Sequence, residues 1–129
     1  YGPIESYPDK HHDAKLGLYT SDVDSLHEDY LRPQENGSHW NCSGLALTTS
    51  DYRSLLISGT QNFSFNASRY TQEELTTKAH SFELEKSPYT VLCLDGYMSG
   101  CGSNSCGPAL AKKYRVDQDK LTFTFTLNF

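Results

Sequence analysis

Residues 121–129 read Leu-Thr-Phe-Thr-Phe-Thr-Leu-Asn-Phe. Leu121, Phe123, Phe125, Leu127 and Phe129 recur at every second position, with Thr122, Thr124, Thr126 and Asn128 between them. Successive side chains of a strand point to opposite faces, so this stretch predicts a β-strand with one apolar and one polar face. Working outward, Asn62-Phe63-Ser64-Phe65-Asn66 alternates in the same way and predicts a half-buried strand. Leu45 and Leu47 flank Ala46, and Leu55-Leu56-Ile57 is a short apolar run bounded by Ser54 and Ser58-Gly59. Tyr89 to Leu94, Y-T-V-L-C-L, predicts a strand buried on both faces or nearly so.

One helix interrupts these strands. Thr71-Gln72-Glu73-Glu74 has the spacing of a capping box, in which the threonine takes the Glu74 amide and Glu74 reaches back. Leu75, Lys78 and Ala79 continue the helix to about His80. The first forty residues carry little pattern. Pro3, Pro8 and Pro33 with charges between them predict irregular backbone laid on another surface, with a short helix or turn between Asp22 and Tyr30. The loop 95–108, D-G-Y-M-S-G-C-G-S-N-S-C-G-P, is too glycine-rich for a core element. Loops this long inside compact domains tend to be functional or disordered. The fold class that follows is mostly β, an antiparallel β-sandwich with one short helix near 71–80.

Length bounds the rest. At 129 residues the chain is one domain or part of one, and a (β/α)₈ barrel, which needs roughly 200 residues, is excluded. Eleven basic residues against sixteen acidic ones, a formal net charge of −5, give no electrostatic footprint for nucleic acid. No apolar run is long enough to span a membrane, and no charged-then-apolar N-terminus suggests a signal peptide. The first residue is Tyr1 rather than Met, which predicts a processed chain or one cut from something longer.

Cys42, Cys93, Cys101 and Cys106 allow three disulfide pairings in a secreted chain. Their density is far below that of a disulfide scaffold, and Cys101/Cys106 lack the second pair a zinc site needs. Reduced, unpaired thiols in a cytosolic protein are the default. Four N-x-S/T sequons, at Asn36, Asn41, Asn62 and Asn66, arise by chance in a chain rich in Asn, Ser and Thr.

The candidate chemistry is thin. Acidic pairs stand at Asp22/Asp24, Glu73/Glu74, Glu83/Glu85 and Asp117/Asp119, and glycoside hydrolysis needs two carboxylates across a cleft. Glu73 and Glu74 already belong to the helix cap, and Glu83 and Glu85 flank Leu84 as the solvent face of a strand would. A nucleophilic Cys106 served by His80 has no supporting signature, and a histidine closing a helix is favoured there by the dipole. The glycine loop lacks the lysine of a P-loop and the following helix of a dinucleotide site. Loops on rigid sheets are nonetheless where binding residues sit.

Four stretches carry more. Residues 2–10 (G-P-I-E-S-Y-P-D-K), 30–37 (Y-L-R-P-Q-E-N-G), 62–75 (N-F-S-F-N-A-S-R-Y-T-Q-E-E-L) and 89–108 occur in an order and spacing that resemble the C-terminal domain of the multidomain β-galactosidases of glycoside hydrolase family 2. The combination of P-Q-E-N-G, N-x-S-R-Y and D-x-x-x-x-G-x-G-x-x-S is specific where each alone is weak.

The resemblance implies hydrolysis of terminal β-D-galactosides such as lactose with retention, by two glutamates with Mg²⁺ and Na⁺ bound. Those glutamates and metal ligands belong to the family's central barrel domain, and no stretch here matches them, so this segment holds no catalytic residue and no metal. It also implies that residues 1–129 are the later half of the C-terminal domain, part of a β-supersandwich similar to galactose mutarotase, with the barrel domain as partner. The implied contribution is loop 98–108 at the rim of the substrate pocket. Where many relatives place a tryptophan as sugar platform, this chain has Cys106. A thiol does not stack as an indole does, so Cys106 would line the aglycone subsite by van der Waals contact, with Asn104 and Ser105 shaping the loop. The isolated chain is expected to be inactive, prone to self-association through uncovered apolar faces, and bacterial and cytoplasmic. Two other readings stand beside this one. One is an autonomous carbohydrate-binding module, suited by nine tyrosines and one tryptophan. The other is a small subunit assembling with a larger catalytic chain.

Overall fold

The computed structural model describes residues 1–100 and 106–129. Strands β1 (His39–Thr48), β2 (Ser54–Ser68), β3 (Val91–Asp95) and β4 (Phe125–Asn128) form one antiparallel sheet, and a six-residue helix α1 (Gln72–Thr77) follows β2. The fifteen-residue β2 organises everything else. The two short stretches that sequence separates, 55–57 and 62–66, are one strand, because the polar interval Thr60-Gln61-Asn62 is carried through by a bulge. Gly44 pairs with Ser58 and Cys42 with Phe63, so the partner strand advances two residues while β2 advances five. A second irregularity in β1 lies at Asn41, whose positive φ of 59° an asparagine tolerates.

β3 and β4 lie end to end along the same edge of β2. β3 pairs with residues 64–68 and β4 with 56–59, which leaves the sheet three strands wide at either level. Between them, the Thr60 amide donates to Thr124 O at 3.1 Å and Gln61 Nε2 to Gly96 O at 3.0 Å. In-register residues share a face, so Leu45, Ile57 and Leu127 project together, with Ile57 buried. Phe63 is buried and meets Phe125 edge-on at 5.3 Å, and Phe125 in turn meets Phe123 at 5.2 Å.

Mostly β, antiparallel, with one short helix is the architecture found. Among the described residues the strands make a single sheet, without a second sheet packed on it. The irregular N-terminal segment, as its prolines and charges suggested, lies against the sheet at Asn66, while Leu56, Leu127 and much of β1 and β4 stay exposed. Ser64 and Asn66, on the polar side of the alternating stretch, are buried, and Asn66 Nδ2 donates to Asn36 O at 3.4 Å. That strand is therefore covered on both sides rather than half-buried. On the other face His39 stacks on Phe65 at 5.1 Å. A short 3₁₀ turn, Val23–Leu26, occupies the region of the expected helix or turn.

Five further expectations are corrected. The strand predicted over 121–129 is regular only from Phe125 to Asn128, because β2 offers it four pairing positions beside β3. The stretch 89–94 becomes strand only at Val91; Tyr89 and Thr90 are exposed and Val91–Leu94 half-buried, since among the described residues no strand pairs with the outer edge of β3. The helix stops at Thr77, short of His80. Thr76 and Thr77 return their hydroxyls to Gln72 O and Glu73 O, and Lys78 turns extended. Only half of the capping box forms. Thr71 Oγ1 accepts from the Glu74 amide at 3.1 Å, but the Glu74 carboxylate accepts from the Glu85 amide at 2.8 Å instead. Glu83 is not on a strand. Its Oε2 accepts from the amides of Ala79 at 3.0 Å and His80 at 2.8 Å, capping a 3₁₀ turn Ser81–Glu83.

Candidate functional site

The sequence places a glutamate, Glu5, in a proline-rich segment where exposure would be ordinary. The structure buries its side chain to 2% exposure. Burying a carboxylate is unfavourable unless its oxygens are satisfied, and here both are. Lys10 Nζ and Tyr30 Oη donate to Oε1, and the Gly37 amide donates to Oε2 at 2.8 Å. Burial alone pushes the Glu5 pKa up, but the Lys10, Tyr30 and Gly37 bonds outweigh it and hold the carboxyl below its usual range. The bond to Glu5 raises the Lys10 pKa in return, and burial followed by the same carboxylate pushes Tyr30 up to about 12. Gly37 has φ of 70°, and a Cβ there would stand 2.4 Å from Leu26 O, so only glycine fits.

Glu5 thus fastens stretch 2–10 to stretch 30–37. Other contacts complete the circuit. Asn66 reaches Asn36 O, joining 62–75 to 30–37. Asp95, at the start of the glycine loop, lies near enough to Glu35 that, after burial, its charge raises the Glu35 pKa; burial raises Asp95 itself. Gly100, with φ of 116°, has backbone so close to Asp9 that a Cβ would meet its carboxylate at 2.6 Å. Gly100 therefore rests on stretch 2–10. Arg69 closes the frame, donating from Nε and Nη2 to Ser87 O at 3.2 and 2.8 Å while the Ser87 amide donates to Arg69 O at 2.7 Å. This double clamp sets the approach of the chain to β3 and the loop.

Of the three residues assigned to the sugar, Cys106 is exposed at the far end of the loop. Asn104 and Ser105 lie outside the described residues, as does Cys101. Cys42, Cys93 and Cys106 are free thiols. His80 contacts Glu83 at 3.3 Å and stacks on Phe82 at 5.1 Å. Among the described residues, no three His, Cys, Asp or Glu side chains gather as potential metal ligands. No helix among them is long and apolar enough to cross a membrane. Two sequons are closed to modification, since Asn36 and Asn66 are buried.

Sequence reasoning missed Glu5, the Glu35/Asp95 proximity and the role of Arg69. Its acidic pairs were neighbours in sequence, whereas Glu35 and Asp95 come within electrostatic range only through folding. The trace that was available lies in the four stretches themselves, each of which contributes one of these residues.

Comparison with known proteins agrees with that convergence. The family described as the beta galactosidase small chain matches residues 1–127. A beta-galactosidase of Actinobacillus pleuropneumoniae is 51% identical over 129 residues, all of this chain and 12% of that relative. One from Staphylococcus xylosus is 36% identical over 128 residues, 99% of this chain and 13% of the relative, and one from Kluyveromyces lactis is 37% identical over 131, covering 99% and 12%. The chain thus spans only about an eighth of the length of these relatives. With a match running through all four stretches, the chain belongs to the beta galactosidase small chain family.

Proposed function

We propose that this chain works as the C-terminal segment of a retaining β-galactosidase acting on terminal β-D-galactosides such as lactose, and that its part is to hold loop 98–108 at the rim of the substrate pocket. The observation that carries this reading is the seating of Gly100 against Asp9, with stretch 2–10 itself locked to 30–37 by Glu5. A base fixed by a satisfied buried charge is what positioning a substrate requires. Cys106, Ser105 and Asn104 are the residues we assign to the aglycone side. Cys106 contributes shape rather than a stacking face. The catalytic glutamates, together with Mg²⁺ and Na⁺, are assigned to the rest of the enzyme, so that the isolated chain does not hydrolyse galactosides.

The same reading makes residues 1–129 half of a larger β-sandwich. Fully exposed Leu18 and Leu31, Phe129 at 97% exposure and Phe82 at 85% support a surface that the remaining polypeptide covers. The free thiols suit a bacterial cytoplasm. The test is reconstitution. The chain is mixed with the remaining β-galactosidase polypeptide, and hydrolysis of a chromogenic galactoside is followed. Activity that appears only on mixing supports the reading, and Cys106→Trp should then lower KM while leaving the fold unchanged. Turnover by the purified chain alone, or no gain on mixing despite stable association, would sink it.

A second reading, a carbohydrate-binding module, is favoured by one observation, the gathering of aromatic rings at one place on the surface.

A further inference from the structure

Five rings from four separate parts of the chain form a continuous array beside the N-terminus. Tyr1 stacks on Trp40 with centroids 5.6 Å apart and planes 28° from parallel. Trp40 meets His11 at 4.6 Å, and His11 stacks on His12 at 4.8 Å and 17°. Tyr114 stands edge-on to His11 at 6.3 Å. None of the five is buried. Tyr1, His11, Trp40 and Tyr114 are half-exposed and His12 is exposed. Trp, Tyr and His are ordinarily intermediate in burial, so it is the gathering of five such rings at one place, not the exposure of any one, that marks this surface.

The array is also held in place. The Trp40 amide donates to Ser6 Oγ at 2.9 Å, the Tyr1 amino group to Trp40 O at 3.1 Å, and His11 Nδ1 lies 3.2 Å from Tyr7 O. Lys113 Nζ sits over the Tyr114 ring at 4.5 Å, which places a cationic donor at the border of the rings. A half-open aromatic surface with polar groups at its rim suits a ligand having an apolar face and a hydroxylated edge. A β-galactopyranoside is such a molecule, because its axial 4-hydroxyl leaves the C3, C4 and C5 hydrogens together on the opposite face.

We propose that Tyr1, His11, His12, Trp40 and Tyr114 form a further sugar-binding surface that takes a β-galactoside by stacking. The choice of galactoside rests on the β-galactosidase reading; the surface itself rests on the rings. Because fixed rings lose little freedom when a ligand arrives, even a shallow surface of this kind binds.

Trp40 is the one tryptophan in the chain, so its fluorescence and its indole Nε1–H resonance report on this surface alone. Methyl β-D-galactoside is titrated into the 129-residue chain while the Trp40 indole and the histidine ring resonances are followed. The expected result is a saturable shift of Trp40, His11 and His12, weakened about three- to tenfold by His12→Ala and by Tyr114→Leu. Both substitutions remove partly or fully exposed rings, and a dispersed amide spectrum confirms that each variant folds. An unmoved Trp40 in the folded chain overturns the proposal, as does undiminished binding in both variants. The reconstitution assay reads loop 98–108 and not this surface. Failure here with activity on mixing therefore removes the surface alone, and sugar binding without reconstitution retains the surface while removing the enzyme reading.

Discussion

The backbone amide of Gly37 donates to Glu5 Oε2 at 2.8 Å, linking two residues thirty-two apart in sequence. The same carboxylate takes Lys10 and Tyr30 on its other oxygen. Glu5→Gln keeps the shape but removes the charge that all three donors serve. Lys10 is half-exposed and recovers part of the loss through water. The expected destabilisation is about 2 kcal/mol, measured by denaturant unfolding at neutral pH. An unchanged midpoint would show that the buried charge contributes nothing net.

Acid should weaken the fold in two stages. Burial, only partly offset by the bond to Tyr1 O, depresses the His39 pKa, so the unfolded chain takes that proton first. Stability from His39 is present above the ordinary histidine range of about 6.5 and declines as pH falls below it. Glu5 is also depressed, so its contribution holds above the ordinary glutamate range of about 4.3 and is lost as pH falls through its folded value. Denaturant midpoints taken from pH 7 to about pH 2 should show two falls from these groups, one beginning below about 6.5 and one below about 4.3. His39→Phe should flatten the upper part of the curve and Glu5→Gln the lower part.

Asp95 runs the other way. Burial raises its pKa, and its charge in turn raises that of Glu35, so the folded state resists their ionisation at neutral pH. Asp95→Asn should therefore stabilise the chain at pH 7, by about 0.5–1 kcal/mol for a half-buried group in a screened setting, and the gain should vanish at pH 4. Parallel unfolding curves at the two pH values check this.

Gly96 faces the ring of Phe123 so closely that a Cβ would stand 2.3 Å from it. Gly96→Ala should displace the ring from Tyr97 and Phe125, its neighbours at 6.1 and 5.2 Å, and cost about 1–3 kcal/mol. Combining it with Phe123→Ala should cost less than the sum of the two changes, a coupling that a double-mutant cycle measures directly.

Arg69→Lys exchanges a planar fork for a single ammonium and loses one of the two bonds to Ser87 O. About 1 kcal/mol of stability should go. Amide exchange should quicken at Val91–Asp95 more than at β1, because the clamp governs entry to β3. Uniform quickening across the sheet would contradict that role.

Legibility followed the range of the interaction. Alternation at Phe63/Phe65 and Phe125/Leu127 marked strands correctly, since which face a strand residue takes depends on its immediate neighbours. The Thr71 cap was equally local and equally visible. Glu74 and Glu83 were misread because their partners, the Glu85 and His80 amides, depend on where the chain turns after Thr77. Phe82 and Tyr89, which look like core residues by type, are exposed. Glu5, which looks like a surface residue, is buried.

By itself, then, the sequence determined that the chain is mostly β, which segments extend, where the helix starts, and through four spaced stretches which family it belongs to. Only tertiary structure decided that two apolar runs fuse into one fifteen-residue strand, that β3 and β4 share an edge, and that Glu5, Asn36, Asn66 and Asp95 bring those stretches together. The reason is physical. Strand faces and helix caps are set by residues within a few positions, whereas the burial of a charge or the electrostatic coupling of two distant carboxylates depends on atoms that only the folded chain makes neighbours.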